Sequence, residues 1–109
     1  LTEPVVKACR FIKRECLVRP VTLRDVAVAV GMSEGHFSRV FHHSTGLTFG
    51  EYVARQRVDK ARELLKDPRV RVTDAAFACG FQSLSQFHRV FRKIVGSSPR
   101  DFRRALALD

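Results

Sequence analysis

Asp25-Val-Ala-Val-Ala-Val-Gly31, followed by Phe37-Ser-Arg-Val-Phe41, decides the fold, because the chain carries this pattern twice. The second copy is Asp74-Ala-Ala-Phe-Ala-Cys-Gly80, followed by Phe87-His-Arg-Val-Phe91. Asp, Ala, Ala and Gly recur 49 positions apart, whereas the phenylalanine segments, and Gly46 with Gly96, recur 50 apart. One extra residue therefore lies in the second copy, between its glycine and its first phenylalanine. Thr48-Phe-Gly-Glu51 likewise returns as Ser98-Pro-Arg-Asp101. Two units of one design fill most of the chain.

The punctuation of each unit is helical. Thr22-Leu-Arg-Asp25 reads as an N-cap with an acidic third residue, and the helix it starts runs from Leu23 to Val30 and stops at Gly31. Ser33 caps a second helix that ends near Gly46, with Phe37, Val40 and Phe41 on its inner face. In the second copy the first helix is Val72 to Cys79, with Gly80 as its stop. Ser83-Leu-Ser-Gln86 then forms a capping box, and Phe87, Val90, Phe91 and Ile94 point inward. Two short helices joined by a glycine-containing turn form a helix-turn-helix. It occurs over residues 23–45 and again over 72–95.

Three further helices frame the pairs. Val5, Cys9, Ile12 and Cys16 mark an amphipathic helix from Glu3 to Leu17. Thr48 and Glu51 open a long linker helix from Phe49 to Lys66, with Ala54, Val58, Ala61 and Leu65 as its buried row and Pro68 beyond its end. Ser98-Pro99 opens the last helix. No stretch alternates with period two. The expected fold is all-α, one unit over residues 1–109 with seven helices, in which a linker helix joins two helix-turn-helix subdomains.

Composition narrows the partner. The chain of 109 residues holds 20 Lys+Arg against 11 Asp+Glu, a formal charge of +9, and its pI is near 10.5. Such a balance points to a polyanion, meaning nucleic acid before an anionic membrane surface. No apolar run reaches the ~20 residues of a membrane span, and no secretory signal opens the chain. Three cysteines without a CxxC spacing exclude a disulfide scaffold and read as small core residues, which fits a reducing cytoplasm. The missing initiator Met suggests a domain excised from a longer protein. No GxSxG, P-loop or HExxH motif supports an enzyme. Neither a metal nor a cofactor site is expected.

These residues resemble the DNA-binding domain of the AraC/XylS family of bacterial transcription regulators. The likeness rests on Ala27-Val-Ala-Val-Gly31-Met-Ser33 with Phe37-Ser-Arg-Val-Phe41, and on Arg57-Val58, Ala61 and Leu64-Leu65. Its most specific part runs from Ala76-Phe-Ala-Cys-Gly80 through Phe87-His-Arg-Val-Phe91-Arg-Lys93 to Gly96-Ser-Ser-Pro99. The resemblance implies a monomeric unit that places two recognition helices in successive major grooves of double-stranded DNA. It implies an activator, with RNA polymerase as a further partner and an effector or dimerisation domain outside this chain.

Helical geometry turns Gly35, Ser38, Arg39 and His42 outward in the first copy, and Leu84, Ser85, His88, Arg89 and Arg92 in the second, with Gln86 on the flank. The resemblance implies base-reading positions at Gly35, Ser38, Arg39, Leu84, Ser85, Gln86, His88 and Arg89. His36 and Lys93 join them as further expected DNA contacts. Arg39 and Arg89 occupy matching positions, and an arginine can grip guanine O6 and N7 through two hydrogen bonds. Gly35 reads either as a close approach of backbone to DNA or as a position without contact. Leu84 reads as a thymine-methyl contact or as a partly covered subdomain contact. The competing class is a non-specific basic nucleic-acid binder or a helical adaptor.

Overall fold

The computed structural model describes residues 2–108, and these form seven helices and no strand. They are α1 (Glu3–Glu15), α2 (Leu23–Val30), α3 (Glu34–Thr45), α4 (Phe49–Leu64), α5 (Val72–Ala78), α6 (Leu84–Val95) and α7 (Pro99–Ala107). The chain divides into two compact units, Leu1–Ala54 and Arg55–Asp109. The first pairs α2 with α3 and the second pairs α5 with α6, so each unit holds one helix-turn-helix.

Helix starts are set by short polar side chains. Thr22 and Asp25 form a complete capping box: the Asp25 N–H donates to Thr22 Oγ1 at 3.1 Å, and the Thr22 N–H donates to the Asp25 carboxylate at 2.9 Å. Thr48 and Glu51 repeat it at the start of α4, with both bonds at 3.1 Å. Ser33, Ser83 and Ser98 each accept one backbone N–H, from His36, Gln86 and Asp101.

The turn between the paired helices has the same geometry in both copies. The Met32 N–H reaches back to Ala27 O and the Gly31 N–H to Val28 O, as the Phe81 N–H does to Ala76 O and the Gly80 N–H to Phe77 O. This double closure needs a left-handed residue, supplied by Gly31 (φ 72°) and Gly80 (φ 89°). The extra residue of the second copy follows this closure and leaves it intact.

Each unit buries its own core. Unit 1 packs Val5, Ala8 and Ile12 of α1 against Val26, Phe37, Phe41 and Val53. Unit 2 packs Val58, Ala61 and Leu65 against Ala75, Ala76, Phe81, Phe87 and Phe91. The Phe37 and Phe41 rings lie 5.3 Å apart, and Phe87 and Phe91 lie 5.5 Å apart. A third ring meets each pair edge-on: Tyr52 against Phe41 at 5.3 Å, and Phe102 against Phe91 at 5.6 Å.

Several details depart from the sequence pattern. The buried stripe of α1 passes through Ala8, and Cys9 is half-buried at its edge. On α4 it is Val53 that enters the core of unit 1, while Ala54 is half-buried. Val40, Val90 and Ile94 are also half-buried, flanking their cores. α1 ends at Glu15, because the Val18 and Arg19 N–H groups both converge on Glu15 O. α4 ends at Leu64, because the Lys66 and Asp67 N–H groups turn to carbonyls three residues back and tighten the last turn ahead of Pro68. α5 stops at Ala78, where the Cys79 N–H is shared between Ala75 O and Ala76 O.

The capping box also sets a charge. The Thr22 N–H, then the Thr22 hydroxyl and then Arg19 hold the exposed Asp25 carboxyl below its usual 3.8. The carboxyl proton is therefore bound more tightly in the unfolded chain. The stabilisation is complete above 3.8 and is lost as the pH falls through the lower folded value. Urea midpoints measured from about pH 5 down to about pH 2 should fall less steeply for Asp25→Asn than for the parent protein. Thr22→Ala should cost about 1 kcal/mol at neutral pH in the same assay.

Candidate nucleic-acid interface

The inward phenylalanines fix what α3 and α6 show to solvent. With Phe37 and Phe41 fully buried, Gly35, Ser38, Arg39 and His42 share the opposite face of α3, and all four are exposed. His36 is exposed too, but it projects roughly a third of a turn away from that row. The Arg39 guanidinium lies back along the helix: its Nη1 sits 3.4 Å from the point where a Cβ on Gly35 would stand. The absent side chain at position 35 thus leaves room above the first turn.

On α6, Ser85, His88, Arg89, Arg92 and Lys93 are exposed. The His88 ring packs edge-on against Phe87, with centroids 5.7 Å apart, which braces it on the surface. Leu84 precedes Phe91 by seven residues and so lies at the border of the buried face, yet 36 % of it remains exposed.

Gln86 is the residue placed differently from the sequence pattern. Its backbone N–H donates to Ser83 Oγ at 3.1 Å, as a box requires, but its side-chain Oε1 accepts from the Gln82 N–H at 3.3 Å and leaves the Ser83 N–H aside. The extra residue of this turn brings Gln82 within reach. Gln86 is half-buried and tethered through its carbonyl oxygen, with its amide NH2 left to donate outward.

Charge separates the two faces. Between Ala75 and Arg100 there is no acidic residue, and Arg89, Arg92, Lys93 and Arg100 contribute four positive charges. Between Ser33 and Thr48, Glu34 offsets Arg39. Among the described residues Arg39, Arg89, Arg92 and Lys93 take part in no ion pair, while Arg14, Arg19, Lys60, Arg62, Arg69 and Arg104 each have a carboxylate partner. Cations left free on an outward helix face can meet phosphates without first breaking an internal pair. No group of three or more His, Cys, Asp or Glu side chains among the described residues could hold a metal ion. No helix among them is long and apolar enough to cross a membrane.

One residue outside this surface makes long-range contacts that no sequence pattern marks. Arg103, on α7, donates to backbone carbonyls 33 to 38 positions earlier in the chain. So long a span leaves no local pattern to detect.

Two helix pairs joined by glycine turns, each turning polar and cationic side chains outward from its second helix, define the helix-turn-helix class of DNA-binding protein. A family model described as a helix-turn-helix domain matches residues 26–105. The chain is 38% identical over 90 residues to the HTH-type transcriptional regulator YfiF of Bacillus subtilis, covering 83% of this chain and 28% of that protein. It is 33% identical over 84 residues to the melibiose operon regulatory protein of Escherichia coli, covering 77% and 28%. Among solved structures, the C-terminal domain of the response regulator AraT from Geobacillus stearothermophilus superposes with a TM-score of 0.90 at 28% identity, over 96% of this chain and 87% of that one. The DNA-binding domain of the global transcriptional factor AdpA, solved in complex with a target DNA, gives 0.86 at 29% identity, over 95% and 93%. This chain belongs to the AraC/XylS family of transcription regulators and corresponds to the C-terminal DNA-binding domain. It spans about a third of the length of the curated relatives it matches.

Gly35→Ala should raise the stability of the free domain by about 0.5 kcal/mol, because position 35 is helical and only the movable tip of Arg39 lies against the new methyl. Urea denaturation without DNA checks this. A loss of stability would show that Arg39 cannot give way.

Proposed function

We propose that this chain reads double-stranded DNA by base sequence, as the DNA-binding domain of a bacterial transcription activator in the cytoplasm. In this reading α3 and α6 enter successive major grooves, and RNA polymerase and an effector or dimerisation domain are partners of the full-length protein. The observation that carries it is the pair of outward faces set by Phe37/Phe41 and Phe87/Phe91, with Arg39 and Arg89 at matching positions and free of ion pairs.

The roles divide by chemistry. Arg39 and Arg89 take guanine edges, each through a bidentate pair. Ser38, Ser85, His88 and the free amide of Gln86 serve neighbouring base edges or phosphates, and Leu84 meets a thymine methyl. Arg92 and Lys93 attract phosphate, as do His36 and His42 on the less charged first unit. Gly35 lets the α3 backbone come close to the duplex. The AdpA domain, similar over nearly the whole chain and solved with a target DNA, supports DNA as the partner in this reading.

Selection of bound sites from a randomised duplex library tests the reading. Two short motifs about 10 base pairs apart are expected, one for each recognition helix. Binding without any motif would leave a non-specific basic binder. Arg89→Ala should cost about 1–3 kcal/mol and relax the preference at one base pair; uniform weakening over all sequences would make Arg89 a phosphate contact. Lys93→Ala should lower the slope of log affinity against log salt by about one without changing the preferred sequence. An altered preference at an unaltered slope would contradict that role.

A further inference from the structure

The two copies approach their first helix by different means. In unit 1, Thr22 and Asp25 close the capping box at the start of α2. The repeat places Arg71 where Thr22 stands and Asp74 where Asp25 stands. Arg71 is the N-cap of α5, and its side chain gives no capping hydrogen bond. α5 has only seven residues and buries Ala75 and Ala76. So short a helix does not hold itself in water, and two alanine side chains bury little apolar area to fix its position.

A clamp from α7 acts at this point. The half-buried Arg103 donates from Nε to Leu65 O at 3.2 Å, and from Nη2 to Val70 O and, at 3.4 Å, to Asp67 O. These carbonyls span the connection from the end of α4 to the start of α5. Within it the Asp67 carboxylate accepts the Arg69 N–H at 2.9 Å and a two-pronged guanidinium contact from Arg69 at 3.0 Å. In the 50-residue register, Arg103 stands where unit 1 has Val53, which is buried in the core. Threonine and valine in one copy are thus replaced by two arginines in the other. One copy has a local cap on the N–H groups of its first helix; the other has a long-range clamp on the carbonyls that lead into it.

We propose that Arg103 is a positioning residue for the second helix-turn-helix: in a copy without a capping box, its guanidinium ties down the carbonyls of residues 65–70 and so holds α5 and α6 in the arrangement that reads DNA. This inference rests on the DNA reading above. Arg103 itself touches no DNA in this role, and its fork across several carbonyls cannot be reproduced by a lysine ammonium.

The test compares the parent protein with Arg103→Ala, Arg103→Lys, Arg71→Thr and the double variant Arg71→Thr/Arg103→Ala. Two quantities are read where each protein is folded by circular dichroism: amide exchange at Ala75 to Cys79, and affinity for the selected duplex over a salt series. Arg103→Ala should speed that exchange and weaken binding, each by roughly tenfold, with an unchanged salt slope. Arg103→Lys should behave like the alanine variant, and it keeps the test open should the alanine variant unfold. Arg71→Thr restores the box, so Arg103→Ala should have a smaller effect on exchange in that background.

A lower melting temperature with exchange at Ala75 to Cys79 and affinity unchanged would reduce Arg103 to a stabilising residue and overturn the proposal. Full binding by Arg103→Lys, together with a slope reduced by about one in Arg103→Ala, would overturn it in favour of a phosphate contact. An equal effect of Arg103→Ala on exchange in both backgrounds would overturn the claim that the clamp offsets the missing box. If the parent protein fails to discriminate between duplexes, the DNA reading fails, and the exchange data still decide whether Arg103 holds α5.

Discussion

Two phenylalanines four residues apart set the orientation of each recognition helix. On α3 they are Phe37 and Phe41, on α6 Phe87 and Phe91, and all four side chains are fully buried. With 3.6 residues to the turn, anchoring such a pair inward leaves no freedom in what faces out. The third ring, Tyr52 or Phe102, comes from the following helix and meets the second phenylalanine edge-on, so the anchor is held from outside its own helix. Helices of 12 residues are marginal alone, and their order comes from this contact more than from propensity. Core and surface are therefore one constraint: whatever loosens the aromatic trio also rotates the polar face.

On that shared scaffold the two copies carry different chemistry. α3 begins with Glu34, which complements the positive end of its own helix dipole but opposes an approaching phosphate. α6 has no acidic residue in its first turn and ends with Arg92 and Lys93. Its field favours a polyanion along its whole length. In the proposed reading the first unit relies on close fit, through a glycine, a serine and one arginine, while the second contributes more of the charge. A duplicated fold with unequal charge can divide the work between affinity and selectivity without altering its backbone.

Much of this was legible in the sequence because the signals were local. Capping residues act within three or four positions, and Thr22, Ser33, Thr48, Ser83 and Ser98 each marked a helix start that the structure reproduces. The phenylalanine spacing gave the outward faces, with Leu84 nearest the border as its distance from Phe91 dictates. The differences arose where a neighbouring element decides. Ala8 displaces Cys9 from the centre of the α1 stripe, and Val53 takes the place in the core where Ala54 was expected, because both choices depend on the opposing surface. Gln86 reaches past its own N-cap because the extra residue of the turn alters what lies within reach. Arg103 left no local sign, since its partners are carbonyls, which every residue has.

In units of this size the helix ends matter as much as the cores. Each core is built from about ten buried side chains, several of them alanine or cysteine, so the apolar area available to fix each helix is small. A cap worth about 1 kcal/mol is then comparable to burying a methylene group or two. Substitutions at the connections can shift a recognition helix without touching either the core or the reading face. That is where the copies differ most in mechanism, a local box before α2 and a clamp from α7 before α5. With the clamp in the proposed role, the second copy's geometry depends on a helix outside its helix-turn-helix, and α7 joins the unit proposed to read DNA.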